Sequence, residues 1–348
     1  MKLLVVSNMY PNERKPYWGT FVKACVDGYI REGVVTDISV ISDSGIKGYL
    51  KFYIATFLKL LFGRYDVVHV HYVTHSVPPV LLARIFRKFK IVLNFHGSDA
   101  FPEATEGKRR RAVKRRISNL AIKFSDLVVV PSEYFRLKMN ASYDLNNAFV
   151  SPSGGVDVNL FEFSANGGKK VLFAGRMLHE KGPVIAANAV KACWVDLDAA
   201  TFIGDGPEKQ NVVDILSSLP ITYFDLLPHA ELAKNMALHD IFLFPSTREG
   251  ESLGLVIIES IFSGMIPLVM DNGAVKDIIP KKYHELLIAN SSKQFDLKLS
   301  RLLGMDMASR VAVATDLYEF SSYKFSRDSV SIKLLERVRL LISEVDYE

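Results

Sequence analysis

Short apolar runs alternate along the chain with segments long enough to form helices. Each run is rich in Val, Ile, Leu or Phe, and a small, polar or turn-forming residue stands near its end. Such runs are typical of parallel strands that helices cover on both faces, because the side chains on both faces are then buried. The pattern predicts strands at residues 3–7, 37–41, 66–70, 91–95, 127–130 and 148–150, and again at 170–173, 199–203, 222–224, 241–244 and 266–269.

Two segments rich in glycine, serine and proline, residues 151–157 and 164–168, separate the two sets of strands. A chain of 348 residues is also long for a single hydrophobic core. We therefore predict an α/β fold with two doubly wound domains that face a cleft, residues 1–162 and 163–325. The last segment, residues 326–348, predicts a helix from about Ser329 to Val345 that returns to the first domain and completes it.

The composition is that of an ordinary soluble globular protein, with 49% hydrophobic and 23% charged residues. No apolar run is long enough to span a bilayer. The apolar start of the chain is interrupted by Asn8 and Pro11, too early for a secretory signal, so we predict a first strand and a cytoplasmic protein. Cys25 and Cys193 match no metal-binding spacing, which fits a reducing compartment.

The net charge of +5 is unevenly distributed. From Lys108 to Arg116 nearly every residue is Lys or Arg, whereas the segment from Tyr49 to Phe62 is apolar and aromatic. Together they could lie on an anionic membrane, with aromatic rings among the headgroups and cations on the phosphates. The alternatives are a solvated helical face and a helix that packs in the core. Nucleic-acid binding is disfavoured, because no aromatic residue interleaves with the basic run.

Carboxylates follow the predicted strand at residues 241–244. Glu251 lies in the loop after this strand and Glu259 in the next helix, with Gly254 between them. Ligands of open α/β sheets bind outside the carboxyl ends of strands, and a helix N-terminus attracts anions. Two carboxylates at such positions suit the hydroxyl groups of a sugar nucleotide. Alternatively, Glu249 and Glu251 simply complement the helix N-terminus, and Glu259 is solvated.

Two cations follow the predicted strand at residues 170–173. Arg176 and Lys181 stand five residues apart in the loop after this strand. Two cations at a strand end can converge on one pyrophosphate and neutralise the charge that develops on a leaving group.

Two further strand ends carry candidate residues. Gly204, Asp205 and Gly206 follow the strand at residues 199–203 and could let the backbone approach a base or ribose, although a tight turn explains the same pattern. His96 ends a strand of the first half, where a histidine facing a cleft is a candidate for catalysis.

As a set, these segments resemble glycosyltransferase family 4, whose members are retaining transferases of the GT-B fold with two Rossmann-like domains. The matching motifs are Gly175-Arg176 with Lys181-Gly182, Gly204-Asp-Gly-Pro207, Pro245-Ser246, Glu251 and Glu259 with Gly254-Leu255, and Gly264 with Pro267. Ser153 to Asp157 with Phe161 resembles the family's inter-domain segment, and His96-Gly97 with Asp99 its amino-domain histidine motif. The resemblance is strong from about Val150 to Val269 and looser before it.

The resemblance implies a metal-independent hexosyltransferase that uses a UDP- or GDP-linked sugar as donor and no cofactor. Arg176 and Lys181 would hold the donor diphosphate, Glu251 the hydroxyls of the transferred sugar, and Glu259 the ribose hydroxyls. The backbone would support sugar and phosphate through Ser252, Leu253, Gly254 and Leu255.

In the first domain, the resemblance implies that His96 lies near the anomeric carbon and that Gly19 lines the phosphate side. Two positions depart from the family pattern: Leu253 stands where an aromatic residue is usual, and Gly19 stands alone where a glycine pair is usual. The family also implies front-face attack, in which the leaving phosphate accepts the proton of the acceptor.

Acceptors bind the amino-terminal domain in this family. The basic and apolar segments therefore favour a glycan or lipid-linked acceptor, and a role in bacterial surface polysaccharide or lipopolysaccharide synthesis at the inner face of the membrane. A GT-B sugar-nucleotide epimerase and a non-catalytic membrane-docking protein are the alternatives. A nicotinamide-dependent oxidoreductase is disfavoured, because Asn8-Met-Tyr-Pro11 and no Gly-x-Gly-x-x-Gly follows the first strand.

Overall fold

The computed structural model describes residues 1–13, 15, 18–43, 45–101, 106–145, 147–248 and 250–343. The chain divides into two compact units, Met1–Gly155 with Arg327–Glu348, and Val156–Ser326. Each unit contains a six-stranded sheet of parallel strands with helices between them. The predicted α/β fold with two doubly wound sheets is confirmed. Among the described residues, no helix combines the length and apolarity that a membrane crossing requires.

The strands of the two units follow each other along the chain. The first unit contains β1 (Lys2–Ser7), β2 (Val35–Val40), β3 (Val67–His71), β4 (Lys90–Asn94), β5 (Leu127–Val130) and β6 (Ala148–Val150). The second contains β7 (Lys170–Ala174), β8 (Ala199–Ile203), β9 (Thr222–Phe224), β10 (Ile241–Phe244), β11 (Ile266–Met270) and β12 (Ile288–Ala289). Their orders are β2-β1-β3-β4-β5-β6 and β12-β11-β10-β7-β8-β9. The short edge strand β12 was not predicted, because two residues make no recognisable pattern.

Helices fill most of the intervals between the strands. Those of the first unit are α1 (Thr20–Arg31), α2 (Gly45–Phe62), α3 (Val73–Ser76), α4 (Pro78–Arg84), α5 (Lys108–Lys123) and α6 (Glu133–Asn140). Those that follow in the second are α7 (Pro183–Ala192), α8 (Lys209–Ile215), α9 (His229–Ala237), α10 (Leu255–Phe262), α11 (Val275–Ile278), α12 (His284–Leu287), α13 (Ser292–Gly304) and α14 (Met307–Phe325). The chain then continues into α15 (Arg327–Ser343).

The sheet of the first unit buries side chains on both faces, because successive side chains of a strand point to opposite sides. Leu4 and Val6 of β1 join a core with α2, α4, α5 and α6, whereas Leu3 and Val5 join a core with α1 and α15. The last helix therefore belongs to the first unit. It begins at Arg327, slightly earlier than predicted, and the predicted end at Val345 lies outside the described residues.

The division between the units lies between Gly155 and Val156, earlier than the predicted boundary after residue 162. The backbone N–H of Val156 donates to the carbonyl of Phe325 at 2.8 Å. The ring of Phe161 packs against His229, with 5.1 Å between the ring centroids. These contacts attach residues 156–162 to the second unit.

Helix α2 directs most of its aromatic side chains toward the core. Phe52 is buried, and Tyr49, Tyr53 and Phe57 pack against the same cluster. The prediction that the aromatic residues of this segment lie among lipid headgroups is wrong for these four, because an amphipathic helix buries one stripe of its surface and the rings occupy that stripe. Its outward face is mainly aliphatic and consists of Ile46, Leu50, Ile54, Leu58 and Phe62.

Candidate functional site

A cavity of about 320 Å³ lies at the carboxyl ends of β7, β8 and β10 in the second unit. It brings together four predicted site residues, Arg176, Lys181, Gly204 and Glu259. The rest of its lining is mainly apolar, with Phe173, Ala174, Gly175, Ile203, Leu226, Leu227, Leu232, Phe244, Arg248 and Val256. A larger cavity of about 590 Å³ in the same unit, beside β12 and α13, contains none of the predicted residues.

Lys181 forms the central ion pair of this site. Its Nζ lies 2.5 Å from Oε2 of Glu251, and the two side chains are only 16% and 13% exposed. The hydroxyl of Ser246 donates a long hydrogen bond of 3.4 Å to the same carboxylate. Lys181 therefore lies between the cavity, which it lines, and a fixed carboxylate beside it.

A glycine brings the loops of Lys181 and Glu251 together. Gly182 follows Lys181 with a φ of 69°. A Cβ at this position would lie 2.3 Å from the carbonyl oxygen of Pro245. The close approach of the β7 loop to the β10 loop therefore requires glycine, and the ion pair depends on that approach.

Arg176 is exposed and lines the cavity without an ion-pair partner among the residues that the structure describes. The neighbouring strand end is held close by Gly204, whose φ is 140°. A Cβ there would lie 1.9 Å from the carbonyl oxygen of Gly175, so only glycine permits the contact. Arg176 is thus placed at the rim as a cation that an anion can reach.

Glu259 lies on α10 with a side chain 13% exposed. Nε2 of His229 donates to its Oε1 at 2.9 Å. Sequence reasoning did not identify His229, because it comes from another helix and no motif marks it. The carboxylate is held by this imidazole, and the helix places it in the cavity lining.

The β10 loop reaches the cavity lining at some of its residues, and the predicted donor contacts of residues 252–255 stay predictions. Ser252, Leu253, Gly254 and Leu255 do not line the cavity, whereas Val256 of the first turn of α10 does. Leu253 is buried, and Gly254 precedes the helix with a φ of 82°. Arg248 of the same loop lines the cavity and was not singled out, although it directly precedes the predicted acidic stretch.

Asp205 and Gly206 also lie outside the cavity lining. The side chain of Asp205 is 72% exposed, and its carbonyl accepts from the backbone N–H of Met177 at 2.9 Å. A Cβ on Gly206 would lie 2.6 Å from the carbonyl oxygen of Met177. Of these three residues, Gly204 borders the cavity, and the donor contacts of Asp205 and Gly206 stay predictions.

The first unit holds the two remaining predicted residues. Nε2 of His96 shares a hydrogen bond of 3.1 Å with Nδ1 of His71, and the His96 ring lies 4.4 Å from that of Phe21. Burial lowers the pKa of His96 to about 3, so its imidazole is neutral at physiological pH. Gly19 precedes α1 with a φ of 73°, and a Cβ there would lie 2.7 Å from the backbone of Met9.

Asp99, part of the predicted histidine motif, holds the backbone around His96. Its Oδ1 accepts from the N–H groups of His96 and Gly97, both at 3.0 Å. Burial raises the pKa of this carboxyl, and the backbone hydrogen bonds oppose that effect. Asp99 therefore positions the loop that carries His96.

One group among the described residues has side-chain atoms placed as metal ligands would be. It consists of Cys25, His69 and His71, whose potential ligand atoms lie within 4.8 Å of one another. All three side chains are buried, and the hydroxyl of Tyr29 lies 3.0 Å from Nδ1 of His69. The sequence predicted no metal site, because these residues have no recognisable spacing.

Two family descriptions match successive parts of the chain. Glycosyltransferase Family 4 matches residues 5–158, and Glycosyl transferases group 1 matches residues 168–305. The chain belongs to glycosyltransferase family 4. The resemblance noted from the motifs is confirmed, since the two matches include nearly all of the residues on which it rested.

Solved structures show that this family 4 chain has the GT-B fold. Sucrose-phosphate synthase from Thermosynechococcus elongatus superimposes with a TM-score of 0.79 and 15% identity, over 99% of both chains. HepE from Anabaena, in complex with UDP and glucose, gives a TM-score of 0.75 and 15% identity, over 97% of this chain and 99% of the other.

The curated relatives match shorter parts of the family 4 chain. Sulfoquinovosyl transferase from Arabidopsis thaliana is 38% identical over 80 residues, which are 23% of this chain and 15% of that protein. The chain covers less than two thirds of the length of each curated relative that it matches.

Proposed function

We propose that the protein is a retaining, metal-independent hexosyltransferase that moves a sugar from a UDP- or GDP-linked donor to a glycan or lipid-linked acceptor. The observation that carries the proposal is the cavity of the second unit, which combines Arg176 and Lys181 with Glu259. HepE, which shares the fold, is described in complex with UDP and glucose. The cations fit the diphosphate of such a donor, the carboxylates fit its hydroxyl groups, and the apolar wall fits its base.

The diphosphate would bind between Arg176 and Lys181. Because Lys181 is already paired with Glu251, an arriving phosphate oxygen would share its ammonium group with that carboxylate. Arg176 has no ion pair with a described residue, so its full charge is available. Negative charge grows on the diphosphate as it leaves, and fixed cations stabilise the transition state more than the ground state.

The nucleoside would occupy the opposite part of the cavity. Glu259 can accept hydrogen bonds from two ribose hydroxyls, and His229 fixes the direction of its carboxylate. Leu226 and Leu227 offer apolar surface to a flat base. Glu251, held by Lys181 and Ser246, is free on its remaining lone pairs to accept from hydroxyls of the transferred sugar.

The transfer step would proceed on one face of the sugar. The bond between the anomeric carbon and the diphosphate oxygen breaks, and the acceptor oxygen bonds to that carbon from the same side. The acceptor proton passes to the leaving phosphate oxygen. The chain's part is to hold the diphosphate with Arg176 and Lys181 and to keep the sugar oriented through Glu251.

A thermal-shift panel tests the donor site. UDP, GDP and their hexose conjugates are added to wild type, to Glu259→Ala, and to Glu231→Ala, a control that removes an exposed glutamate of α9 from an ion pair with Lys234. A ligand at a hundredfold excess over Kd stabilises the fold by about 2.7 kcal/mol. We expect one nucleotide family to stabilise wild type and the control, with EDTA present, and Glu259→Ala to lose the shift. No shift with any nucleotide would contradict the proposal.

The acceptor is proposed to be membrane-borne, with the protein peripheral on the inner face of a bacterial membrane and active in surface polysaccharide or lipopolysaccharide synthesis. The outward stripe of α2 repeats at every fourth residue from Ile46 to Phe62, and these side chains are between 44% and 90% exposed. Ile85 and Phe86, which follow α4, are also exposed. Helices α2 and α4 cover the same face of the sheet as α5.

Helix α5 supplies the charge that anionic lipid attracts. Arg109, Arg115 and Arg116 are exposed, whereas Lys114 is buried and pairs with Glu106 at 2.7 Å. Exposed apolar side chains beside exposed cations are the combination that lies on anionic lipid, because the former enter the headgroup boundary and the latter meet phosphates.

A further inference from the structure

Three buried side chains meet between the sheet of the first unit and α1: Cys25 of the helix, with His69 and His71 of β3. The two histidines are two residues apart on one strand, so both point to the same face of the sheet. Helix α1 covers this face, because Val67 of the same row packs in a core cluster with Cys25 and Tyr29. Two imidazoles therefore lie in a part of the core that is otherwise mainly apolar.

Both imidazoles have one ring nitrogen that is paired and one that is not. The exposed fractions of His69 and His71 are 0% and 1%. Nδ1 of His69 lies 3.0 Å from the hydroxyl of Tyr29, and Nδ1 of His71 lies 3.1 Å from Nε2 of His96. Nε2 of each has no hydrogen-bond partner among the described residues. Buried polar atoms are nearly always paired, and a bound ion is one way to satisfy such nitrogens.

The potential ligand atoms are close enough together for one metal ion. The sulfur of Cys25 lies 3.9 Å from Nδ1 of His69, and this sulfur and one ring nitrogen of each histidine lie within 4.8 Å of one another. Three atoms with this spacing share a point about 2.8 Å or less from each, whereas zinc binds nitrogen at about 2.0 Å and sulfur at about 2.3 Å. Each atom therefore needs to move inward by less than about 1 Å.

The types of ligand atom suit zinc. Thiolate and imidazole are the ligands that zinc prefers, whereas calcium and magnesium take oxygen ligands. The hydroxyl of Tyr29 contacts the thiol of Cys25 as well as the ring of His69, so an oxygen is available as a fourth ligand. Structural zinc ions have four ligands, and copper(I) favours softer sets than one sulfur with nitrogen and oxygen.

We propose that Cys25, His69 and His71 bind a structural Zn²⁺ ion between β3 and α1, with the hydroxyl of Tyr29 beside it. On binding, the thiol of Cys25 gives its proton to solvent, a sulfur–zinc bond forms, and no electron is transferred. Nε2 of His71 binds the ion while its Nδ1–H donates to His96, as the second ring nitrogen of a metal-bound histidine normally donates to a neighbour.

The zinc site is separate from the donor site. None of its residues lines the donor cavity, so the ion takes no part in the transfer step proposed above. Its ligands are buried, and the ion would therefore enter as the first unit folds and link α1 to the sheet. EDTA added to the folded protein should leave it in place, so the donor tests in EDTA are made with the ion present.

Metal analysis of the untagged protein is the first measurement. Protein expressed with zinc in the medium is analysed by mass spectrometry of the elements before and after a wash with EDTA. We expect about one zinc ion per chain in both samples. Protein without zinc before the wash would overturn the proposal, and zinc that is lost in the wash would contradict a buried site.

Cobalt substitution tests whether Cys25 is a ligand. Protein is expressed in medium in which Co²⁺ replaces Zn²⁺, because a thiolate on Co²⁺ gives a sulfur-to-metal charge-transfer band. The chain contains two cysteines, so Cys25 alone can give this band in Cys193→Ser. We expect the band in wild type and in Cys193→Ser, and its loss in Cys25→Ser. Its absence from Cys193→Ser would overturn the assignment even if Cys25→Ser does not fold.

Histidine variants complete the ligand set. His69→Asn and His71→Asn should each lose the zinc, whereas His284→Asn, a partly buried histidine of the second unit, should keep it. Full zinc content in either of the first two would contradict the site. A calorimetric titration of wild type with the nucleotide chosen by the thermal-shift panel separates the two proposals. Nucleotide binding without zinc removes only the metal site, and zinc without nucleotide binding removes only the donor function.

Discussion

At the residue scale, Lys181 has two roles. Its ammonium group pairs with the carboxylate of Glu251, and its side chain lines the cavity in which we place the donor diphosphate. Sequence spacing predicted the pair of cations after β7. It did not predict the ion pair, because that contact depends on a left-handed glycine, Gly182, and on the backbone of Pro245 in a distant loop.

Removing either cation should slow transfer more than it weakens binding. We expect Lys181→Gln and Arg176→Gln each to lower kcat by about a hundredfold to a thousandfold, because the lost stabilisation is largest when charge has moved to the leaving diphosphate. Lys191→Gln, on the exposed side of α7, is the matched control for the loss of one charge in the second unit. Steady-state rates of nucleoside diphosphate release measure the effect. A change confined to the donor KM would assign these cations to binding alone.

Buried imidazoles make the first unit sensitive to acid. Burial lowers the pKa of His69 and of His96 to about 3, whereas an unfolded chain would titrate near 6.5. Below pH 6.5 these imidazoles bind protons in the unfolded state but stay neutral in the folded state. The free energy of unfolding therefore decreases as the pH falls. We expect the free energy of unfolding to drop between pH 6.5 and 5, by up to about 1.4 kcal/mol per pH unit for each group. Denaturation curves that show constant or rising stability over this interval would contradict the burial of neutral imidazoles.

At the scale of elements, the hydrophobic pattern of α2 predicts a helix but not which of its faces is buried. Its sequence is apolar almost throughout, so periodicity predicts a helix but does not tell the buried face from the exposed one. Packing decides this: Phe52 and Tyr49 face the core, and the aliphatic side chains of Leu50 and Ile54 face outward. The proposed membrane contact thus rests on the outward aliphatic side chains of the predicted segment, with Phe62, and not on its other aromatic rings.

The charged and the apolar side chains of the proposed membrane surface can be substituted separately. Arg109→Gln with Arg116→Gln should weaken co-sedimentation with vesicles that contain phosphatidylglycerol, by about 1 kcal/mol for each charge. Leu50→Ser with Ile54→Ser should weaken it at every salt concentration, because buried apolar area is lost. The control is Lys191→Gln with Lys293→Gln, which removes two exposed charges from the second unit. Equal binding of all variants, or binding to purely zwitterionic vesicles, would exclude this surface.

Strands that end in a turn were predicted most accurately. β5, β6, β8, β9 and β10 have the predicted limits, because apolar runs end there at Ser, Gly or Pro or at a clear loss of hydrophobicity. The edge strand β12 and the contribution of His229 could not be predicted, since both depend on contacts between segments far apart in the chain.

For the whole molecule, the fold and the donor site rest on different observations. The family and the GT-B fold follow from matches along most of the chain. The donor site is proposed from the second unit alone, where Arg176, Lys181, Gly204 and Glu259 share one cavity. His96 and Gly19 belong to the first unit, and their proposed donor contacts stay predictions.

The most direct test of the central claim follows the anomeric proton by NMR. Wild type, with EDTA present, is incubated with the nucleotide hexose selected by the thermal-shift panel, and spectra are taken before the hexose released by hydrolysis can mutarotate. We predict that the product first shows the anomeric configuration of the donor, and that Lys181→Gln forms this product far more slowly. A product of opposite configuration, or a reaction that occurs without EDTA but not in its presence, would contradict a retaining, metal-independent glycosyltransferase.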